Sequence, residues 1–203
     1  MFSTCEPIET QLDIATFMAN LMGNFQGTVQ YNDERGNPID INYVCNIIVN
    51  ETMDAITAYI EVSNLFLQLS NVNCLDVSYK NMISFLANTS QTSDGVDARS
   101  WTYQTCTQFG YFQTTDNDNQ PFGDLVPVSY YTQICKDAFG IDQSTIQPNI
   151  DETNILYGGN NIPPTGPTNI LFVNGNIDPW HSLGVTQDIS ATLNAVFIDG
   201  TGK

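Results

Sequence analysis

The stretch that most constrains the fold lies near the end of the chain, at residues 169–181. It opens with Asn-Ile-Leu-Phe-Val between Pro167 and Gly175, a short β-branched and aromatic run that predicts a buried strand. Asp178 follows this strand, and Pro179 restricts it to extended or turn conformations. Because chemistry in open α/β sheets collects beyond the carboxyl ends of strands, Asp178 is a candidate catalytic residue. The alternative is an Asx turn or a cap for the helix after Pro179.

A second short strand is predicted at residues 195–198, where Ala-Val-Phe-Ile is stopped by Asp199 and Gly200. Residues 182–193 between the two strands have a moderately amphipathic pattern that predicts a helix. A strand, a helix and a strand in this order form a parallel βαβ unit with a right-handed crossover. Two strands expose edges that need partners, so this part of the chain reads as a fraction of a sheet.

The first three quarters of the chain read as mainly helical. Apolar residues at helical spacing predict helices at residues 9–25, 53–69, 76–87 and 128–139, the last with Gly140 just past its end. Residues 87–100 are rich in Ser, Thr, Asp and Gly and predict a loop, and the Pro- and Gly-rich residues 160–168 predict a connector. Aromatic residues crowd residues 99–112, which is typical of a core or pocket wall.

The charge of the chain excludes several classes of partner. The formal net charge is −17, with 5 Lys and Arg residues, whereas nucleic-acid binding depends on many cationic contacts with phosphates. Binding to anionic membranes is disfavoured for the same reason. No apolar run has the length of a membrane helix, and the first residues lack the pattern of a signal peptide. Neither a Gly-rich phosphate loop nor a CxxC metal pattern is present, so we expect no cofactor and no metal.

Cysteines and glycosylation motifs favour an oxidising compartment. The chain has 5 cysteines, an odd number that leaves one thiol without a partner inside the chain. Asn-x-Ser/Thr motifs stand at Asn50 and Asn88, which are therefore candidate glycosylation sites, although two such motifs in an Asn-rich chain can also arise by chance.

Two longer motifs resemble those of a known family. Residues 99–110, Arg-Ser-Trp-Thr-Tyr-Gln-Thr-Cys-Thr-Gln-Phe-Gly, resemble its W-x-Y-Q-x-C-T-E motif. Residues 174–184, Asn-Gly-Asn-Ile-Asp-Pro-Trp-His-Ser-Leu-Gly, resemble its N-G-x-x-D-P-W loop. The family is the serine carboxypeptidases of lysosomal Pro-X carboxypeptidase, dipeptidyl peptidase II and thymus-specific serine protease. The D-P-W-H continuation is nearest to the thymus-specific type, and the resemblance runs over essentially the whole chain.

The resemblance implies an α/β-hydrolase fold, of which the chain would carry the carboxyl-terminal portion. Residues 1–160 would form most of a helical cap domain, incomplete at its amino end. Residues 161–203 would form the last strand, helix and strand of an incomplete hydrolase core. In this family the triad follows the order serine, aspartate, histidine, and Asp178 matches the aspartate, which orients the histidine and stabilises its imidazolium form.

The resemblance also implies a serine-type exopeptidase that acts on peptides, by a carboxypeptidase or dipeptidyl-peptidase mode. Trp180 and Tyr111 would line the pocket for the residue before the cleaved bond, typically proline, because flat rings pack well against a pyrrolidine. The compartment would be the lysosome or the secretory pathway, and a homodimer is possible. The implied disulfides are Cys5 with Cys74 and Cys106 with Cys135, which leaves Cys45 to pair with a cysteine upstream of this chain.

The chain departs from the family pattern at several points. It contains no G-x-S-x-G motif, so the nucleophile is absent, and Lys203 stands at about the position of the catalytic histidine. His181 is the only histidine, and we interpret it as a loop residue at a helix start rather than as a replacement base. Gln108 replaces the usual glutamate. We therefore expect the chain alone to be inactive, with a non-catalytic secreted binding or antigen-like homologue, or a truncated gene product, as the alternatives.

Overall fold

The computed structural model describes residues 1–34, 36, 38–90, 94–159 and 161–202, and for Asp94 and Gly95 the backbone only. Lys203 lies outside the described residues. Helices dominate the structure, in agreement with the predicted helical character, and a two-stranded parallel sheet lies close to the carboxyl end. Within these ranges, no helix combines the length and the apolar character that crossing a membrane requires. The described elements are α1 (Gln11–Gln30), α2 (Ile41–Ile48), α3 (Ala55–Leu69), α4 (Tyr79–Ala87), α5 (Asp94–Gln104), α6 (Val128–Phe139), α7 (Gln143–Tyr157), β1 (Ile170–Gly175) and β2 (Leu193–Ile198).

The helices predicted from apolar periodicity are confirmed as α1, α3, α4 and α6. Local chemistry explains several of their ends. The Asp54 carboxylate accepts hydrogen bonds from the first amides of α3, and the Ser78 hydroxyl accepts one at the start of α4. Gly140 follows α6 with φ of 70°, the left-handed conformation that suits glycine after a helix.

One prediction about this helical part was wrong, and one helix was not predicted. Residues 87–100 were predicted to be a loop, but their second half is helical and forms the start of α5, which begins at Asp94. Its sequence has almost no amphipathic pattern, so periodicity could not reveal it. Helix α7 was not predicted at all, and it contains Pro148 within its span. At its start the Asp142 carboxylate accepts a hydrogen bond from the Ser144 amide, which satisfies one of the free amides of the first turn.

The described chain divides into two compact units. Unit 1 comprises residues 1–3, 21–73 and 158–203, and unit 2 comprises residues 4–20 and 74–157. The core of unit 1 centres on Ile39, Val44 and Val62, against which apolar residues of α1, α2 and α3 pack. The core of unit 2 surrounds the buried Cys106–Cys135 disulfide and Ile146. The predicted division into a cap of residues 1–160 and a core of residues 161–203 stays a prediction.

The two strands pair in parallel, as predicted, with Ile170 opposite Leu193 and Gly175 opposite Ile198. The connection between them differs from the prediction, because residues 184–192 contain no helix. A short 3-10 helix, Pro179–Leu183, follows β1 and ends before Gly184. Polar side chains then pair with the backbone, since the Asn174 amide donates to Val185 O and the Asp188 carboxylate accepts from Ala195 N. Such bonds compete with the helical pattern and favour a loop.

Candidate functional site

Asp178 lies in the turn that follows β1, as the sequence predicts. Its backbone amide donates to Gly175 O at 3.3 Å, which closes the turn, and its side chain is half-buried. One carboxylate oxygen, Oδ1, accepts from the Trp180 amide at 2.9 Å, so Asp178 caps the 3-10 helix. The capping role offered as the alternative is therefore present. A single bond engages Oδ1, and a carboxylate has further lone pairs with which to accept hydrogen bonds.

The loop around Asp178 contacts the segment that follows β2. The Ile177 amide donates to Thr201 O at 3.3 Å, and the Asn176 amide donates to Ile198 O at 3.1 Å. The approach is close, since a Cβ atom added to Gly175 would lie 2.2 Å from Thr201 O. A larger residue than glycine at position 175 would displace this backbone. The structure thus places the two loops that follow β1 and β2 side by side.

Trp180 belongs to unit 1 together with Asp178. Its indole Nε1 donates to the Gln30 side-chain oxygen at 3.0 Å, which anchors the half-buried ring to the end of α1. Gln30 was missed by the sequence reasoning, because nothing in a helix pattern marks a contact with a residue that lies so far along the chain. The bond holds the indole in one orientation.

His181 is one turn beyond Asp178, and its backbone amide donates to Asp178 O at 3.1 Å. Its ring packs edge-on against Phe197, with 5.5 Å between the ring centroids. Its Nδ1 atom is buried and has no hydrogen-bond partner among the residues that the structure describes. The imidazole is therefore held within the short 3-10 helix and packed on β2, and the interpretation that it is not a replacement base stays a prediction.

Tyr111 lies in unit 2, so it is described apart from Asp178 and Trp180. Gly110 and Tyr111 both have positive φ, of 68° and 58°, at the point where the π-helical turn Thr105–Phe109 ends. Positive φ is uncommon for tyrosine, and such strain is concentrated at functional sites. Gln108, which replaces the usual glutamate of the motif, lies within the π-helical turn.

A cavity of about 300 Å³ lies within unit 2, with Tyr111 in its wall. Its wall is mainly apolar and aromatic, and the other ring residues lining it are Phe85, Trp101, Phe112, Tyr130 and Tyr131. The tyrosine hydroxyls have partners: Tyr131 donates to Gln113 O at 2.9 Å, and the Tyr130 and Thr16 hydroxyls lie 3.1 Å apart. Burial raises the pKa of Tyr130 and Tyr131, so both remain neutral. The cavity therefore suits an uncharged apolar ring.

The structure contains two disulfides, Cys5–Cys74 and Cys106–Cys135, which are the pairs that the resemblance implies. Cys45 is exposed and has a free thiol. Both glycosylation motifs are exposed. The Asn50 side-chain oxygen accepts from the Thr52 hydroxyl at 2.7 Å, and that of Asn88 accepts from the Ser90 amide at 2.9 Å. Among the residues that the structure describes, no group of His, Cys, Asp and Glu could hold a metal ion.

Comparison with known proteins places these features in a family context. The model of the family described as serine carboxypeptidase S28 matches residues 1–203, the full chain. The chain is 33% identical over 196 residues to the thymus-specific serine protease of Mus musculus, a match covering 92% of this chain and 38% of that protein. It is 29% identical over 201 residues to the Homo sapiens protein of the same name, covering 97% of this chain and 38% of that protein.

A second kind of relative matches a shorter region. The chain is 30% identical over 159 residues to the lysosomal Pro-X carboxypeptidase of Homo sapiens, a match covering 78% of this chain and 29% of that protein. The chain thus spans well under half the length of each of these relatives.

Proposed function

The chain belongs to the serine carboxypeptidase S28 family, and on this premise we propose that it carries the triad aspartate, Asp178, of a serine exopeptidase. The observation that carries the proposal is the position of Asp178 in the loop after β1. There the half-buried carboxylate caps the 3-10 helix Pro179–Leu183, and the bond from the Trp180 amide holds it in place. A carboxylate in this position can accept a hydrogen bond from a histidine, fix its tautomer and stabilise the imidazolium form. The proposal includes the α/β-hydrolase fold, with residues 1–160 as cap and 161–203 as core.

The proposed substrates are peptides with proline near the cleaved bond. Two features support this part of the proposal, the anchored indole of Trp180 and the aromatic cavity that Tyr111 lines. A pyrrolidine ring is small, apolar and uncharged, which suits an aromatic wall without charged groups. The alanine variants of Trp180 and Tyr111 should raise KM for a proline-containing peptide more than for its alanine counterpart.

We propose that the 203-residue chain alone is inactive, because it contains no G-x-S-x-G nucleophile motif. The experiment compares it with a longer chain that includes the coding sequence on both sides, using a fluorogenic peptide with proline before the cleaved bond. The longer chain should hydrolyse the peptide, and Asp178→Asn should lower its kcat by about 10⁴-fold, as for other triad aspartates. Turnover by the 203-residue chain would refute the argument from the missing nucleophile.

A matched control separates the triad role from a general loss of negative charge. Glu61 lies exposed on α3 of unit 1, and Glu61→Gln makes the same change from a carboxylate to an amide. It should leave kcat unchanged. If both variants lost activity equally, or if neither did, the proposed role of Asp178 would be wrong.

The second candidate function is that of a non-catalytic secreted binding protein that keeps the cavity. The observation that favours it is the sequence itself, with no nucleophile motif and a single histidine at position 181. Coding sequence on both sides decides between the two. A G-x-S-x-G motif upstream and a His-Cys pair downstream support the peptidase, whereas a start codon at Met1 and a stop codon after Lys203 support the binding protein.

We propose a lysosomal or secreted location, supported by the two disulfides and by the exposed motifs at Asn50 and Asn88. The proposal includes glycans on both asparagines, a bond from Cys45 to an upstream cysteine and a homodimer. Expression in a secretory host with Asn50→Gln and Asn88→Gln should lower the mass stepwise, and digestion with a glycosidase should abolish the difference. A mass equal to that of the bare polypeptide would refute the glycans.

A further inference from the structure

Asn176 connects the loop that carries Asp178 to the turn that follows β2, and it uses both ends of its side-chain amide. The Oδ1 atom accepts from the Gly200 amide at 2.9 Å, and Nδ2 donates to the Asp199 carboxylate. These two bonds join residues 23 and 24 positions apart in the chain. An asparagine suits this place because it has one acceptor and two donors in a single planar group.

We propose that Asn176 is a positioning residue, which holds the Asp178 carboxylate at a set place relative to the turn of residues 199–202. The inference rests on the proposed function, in which Asp178 orients a catalytic histidine. Neither family motif includes position 176, since the N-G-x-x-D-P-W loop leaves that residue open. Asn176 bonds to Asp199 and Gly200 and acts through Asp178, which makes it a positioning residue rather than a catalytic one.

The backbone around Asn176 carries the effect from the turn to the carboxylate. Next to it, the Ile177 amide donates to Thr201 O, and the Asp178 amide donates to Gly175 O. Asp178 Oδ1 in turn accepts from the Trp180 amide. The backbone N–H group of Trp180 therefore reports where the carboxylate lies. The backbone N–H group of Gly200 reports whether the Asn176 bond is made.

The experiment measures amide hydrogen exchange in the 203-residue chain, so that it needs no enzymatic activity. Asn176→Ala should accelerate exchange at Gly200, Ile177 and Trp180, by about tenfold at Gly200, the size of one lost hydrogen bond. The matched control is Asn161→Ala, in the exposed connector of the same unit, which should change none of the three.

Exchanging the side chains of positions 176 and 199 tests whether the two residues are coupled. Asn176→Asp alone sets two carboxylates against each other and should also accelerate exchange at Trp180. The double variant with Asp199→Asn restores a donor and acceptor pair, now reversed in direction, and should return exchange to within about twofold of the wild type, as a coupled pair requires.

The outcomes separate this inference from the proposed function. Faster exchange confined to Gly200, with Trp180 unchanged, would show that Asn176 only caps the turn and would overturn its positioning role. Failure of rescue in the double variant would overturn the pairing with Asp199. In the longer chain, Asn176→Ala should lower kcat with little change in KM, whereas a longer chain without turnover would count against the proposed function and leave the exchange result standing.

Discussion

The sheet of unit 1 and the disulfide core of unit 2 differ in how their apolar residues are covered. Cys106 and Cys135 are fully buried, and Ile146 packs with them. On the sheet, one face exposes a patch that we call the open face, formed by Leu171 (59% exposed), Val173 (58%), Val196 (40%) and Ile198 (45%). Parallel strands are almost always covered on both faces, so the open face is unusual for a parallel pair.

This difference indicates which part of the chain covers its own apolar residues. Unit 2 has a core, two disulfides and a pair of buried hydroxyls, whereas the apolar side chains on the open face of unit 1 are exposed. The contrast supports the proposal that β1 and β2 belong to a larger sheet.

The largest effect is expected in unit 2, on removal of the Cys106–Cys135 disulfide. The bond closes a loop with a sequence separation of 29, so Cys106→Ala with Cys135→Ala should lower the free energy of unfolding by about 3 kcal/mol. Denaturant unfolding measures the change. Hydrogen exchange should show the loss across α5, α6 and α7 and leave the β1 amides unchanged. Equal acceleration in β1 would contradict a local effect of the disulfide on the core around it.

An intermediate effect is expected from paired valine substitutions within unit 1. Val62 is fully buried in the core of unit 1, and Val62→Ala should lower the free energy of unfolding by about 2 kcal/mol. The matched control Val173→Ala, on the open face, should cost less than about 0.5 kcal/mol and should reduce self-association, measured by light scattering. A cost at Val173 as large as at Val62 would mean that the open face is covered in solution.

The smallest effect concerns pH. The hydrogen bond from the Thr10 side chain, followed by that from the Tyr79 amide, lowers the pKa of Asp13 below its usual value of 3.8. A lowered carboxyl pKa adds stability above the unfolded value, and this stability is lost as the pH falls through the folded value. Asp13→Asn should therefore destabilise unit 2 at neutral pH and make its stability less dependent on pH below about 4.

Thermal unfolding at a series of pH values measures this dependence. Asp151→Asn is the control, since it makes the same change from a carboxylate to an amide at an exposed position on α7 of the same unit. A slope for Asp13→Asn that matched the wild type in acid would contradict the assignment.

The sequence predicted those helices whose apolar residues recur at helical spacing, and it failed where that spacing is absent or where side chains bind the backbone instead. Apolar periodicity found α1, α3, α4 and α6, because each buries one side. It missed α5, which has almost no apolar face, and α7, where Pro148 argues against a helix. It placed a helix after His181, where the side chains of Asn174 and Asp188 instead bind the backbone of the loop.

The candidate site shows the same division. The loop position of Asp178 follows from a buried strand and a following proline, both of which act locally. The bonds of Trp180 with Gln30 and of Asn176 with Gly200 join residues that are distant in the chain, so no local pattern could reveal them.

The sequence by itself determined the helical character of the first part, the parallel strand pair, the family and the place of Asp178 in the loop after β1. These depend on burial, backbone restriction and motif chemistry, which are properties of neighbouring residues. Only the tertiary structure decided which residues hold that loop in place, through Asn176, Gly175 and the turn at 199–202. The physical reason is that hydrogen bonds and close backbone approach depend on distances in space, which the order of residues does not specify.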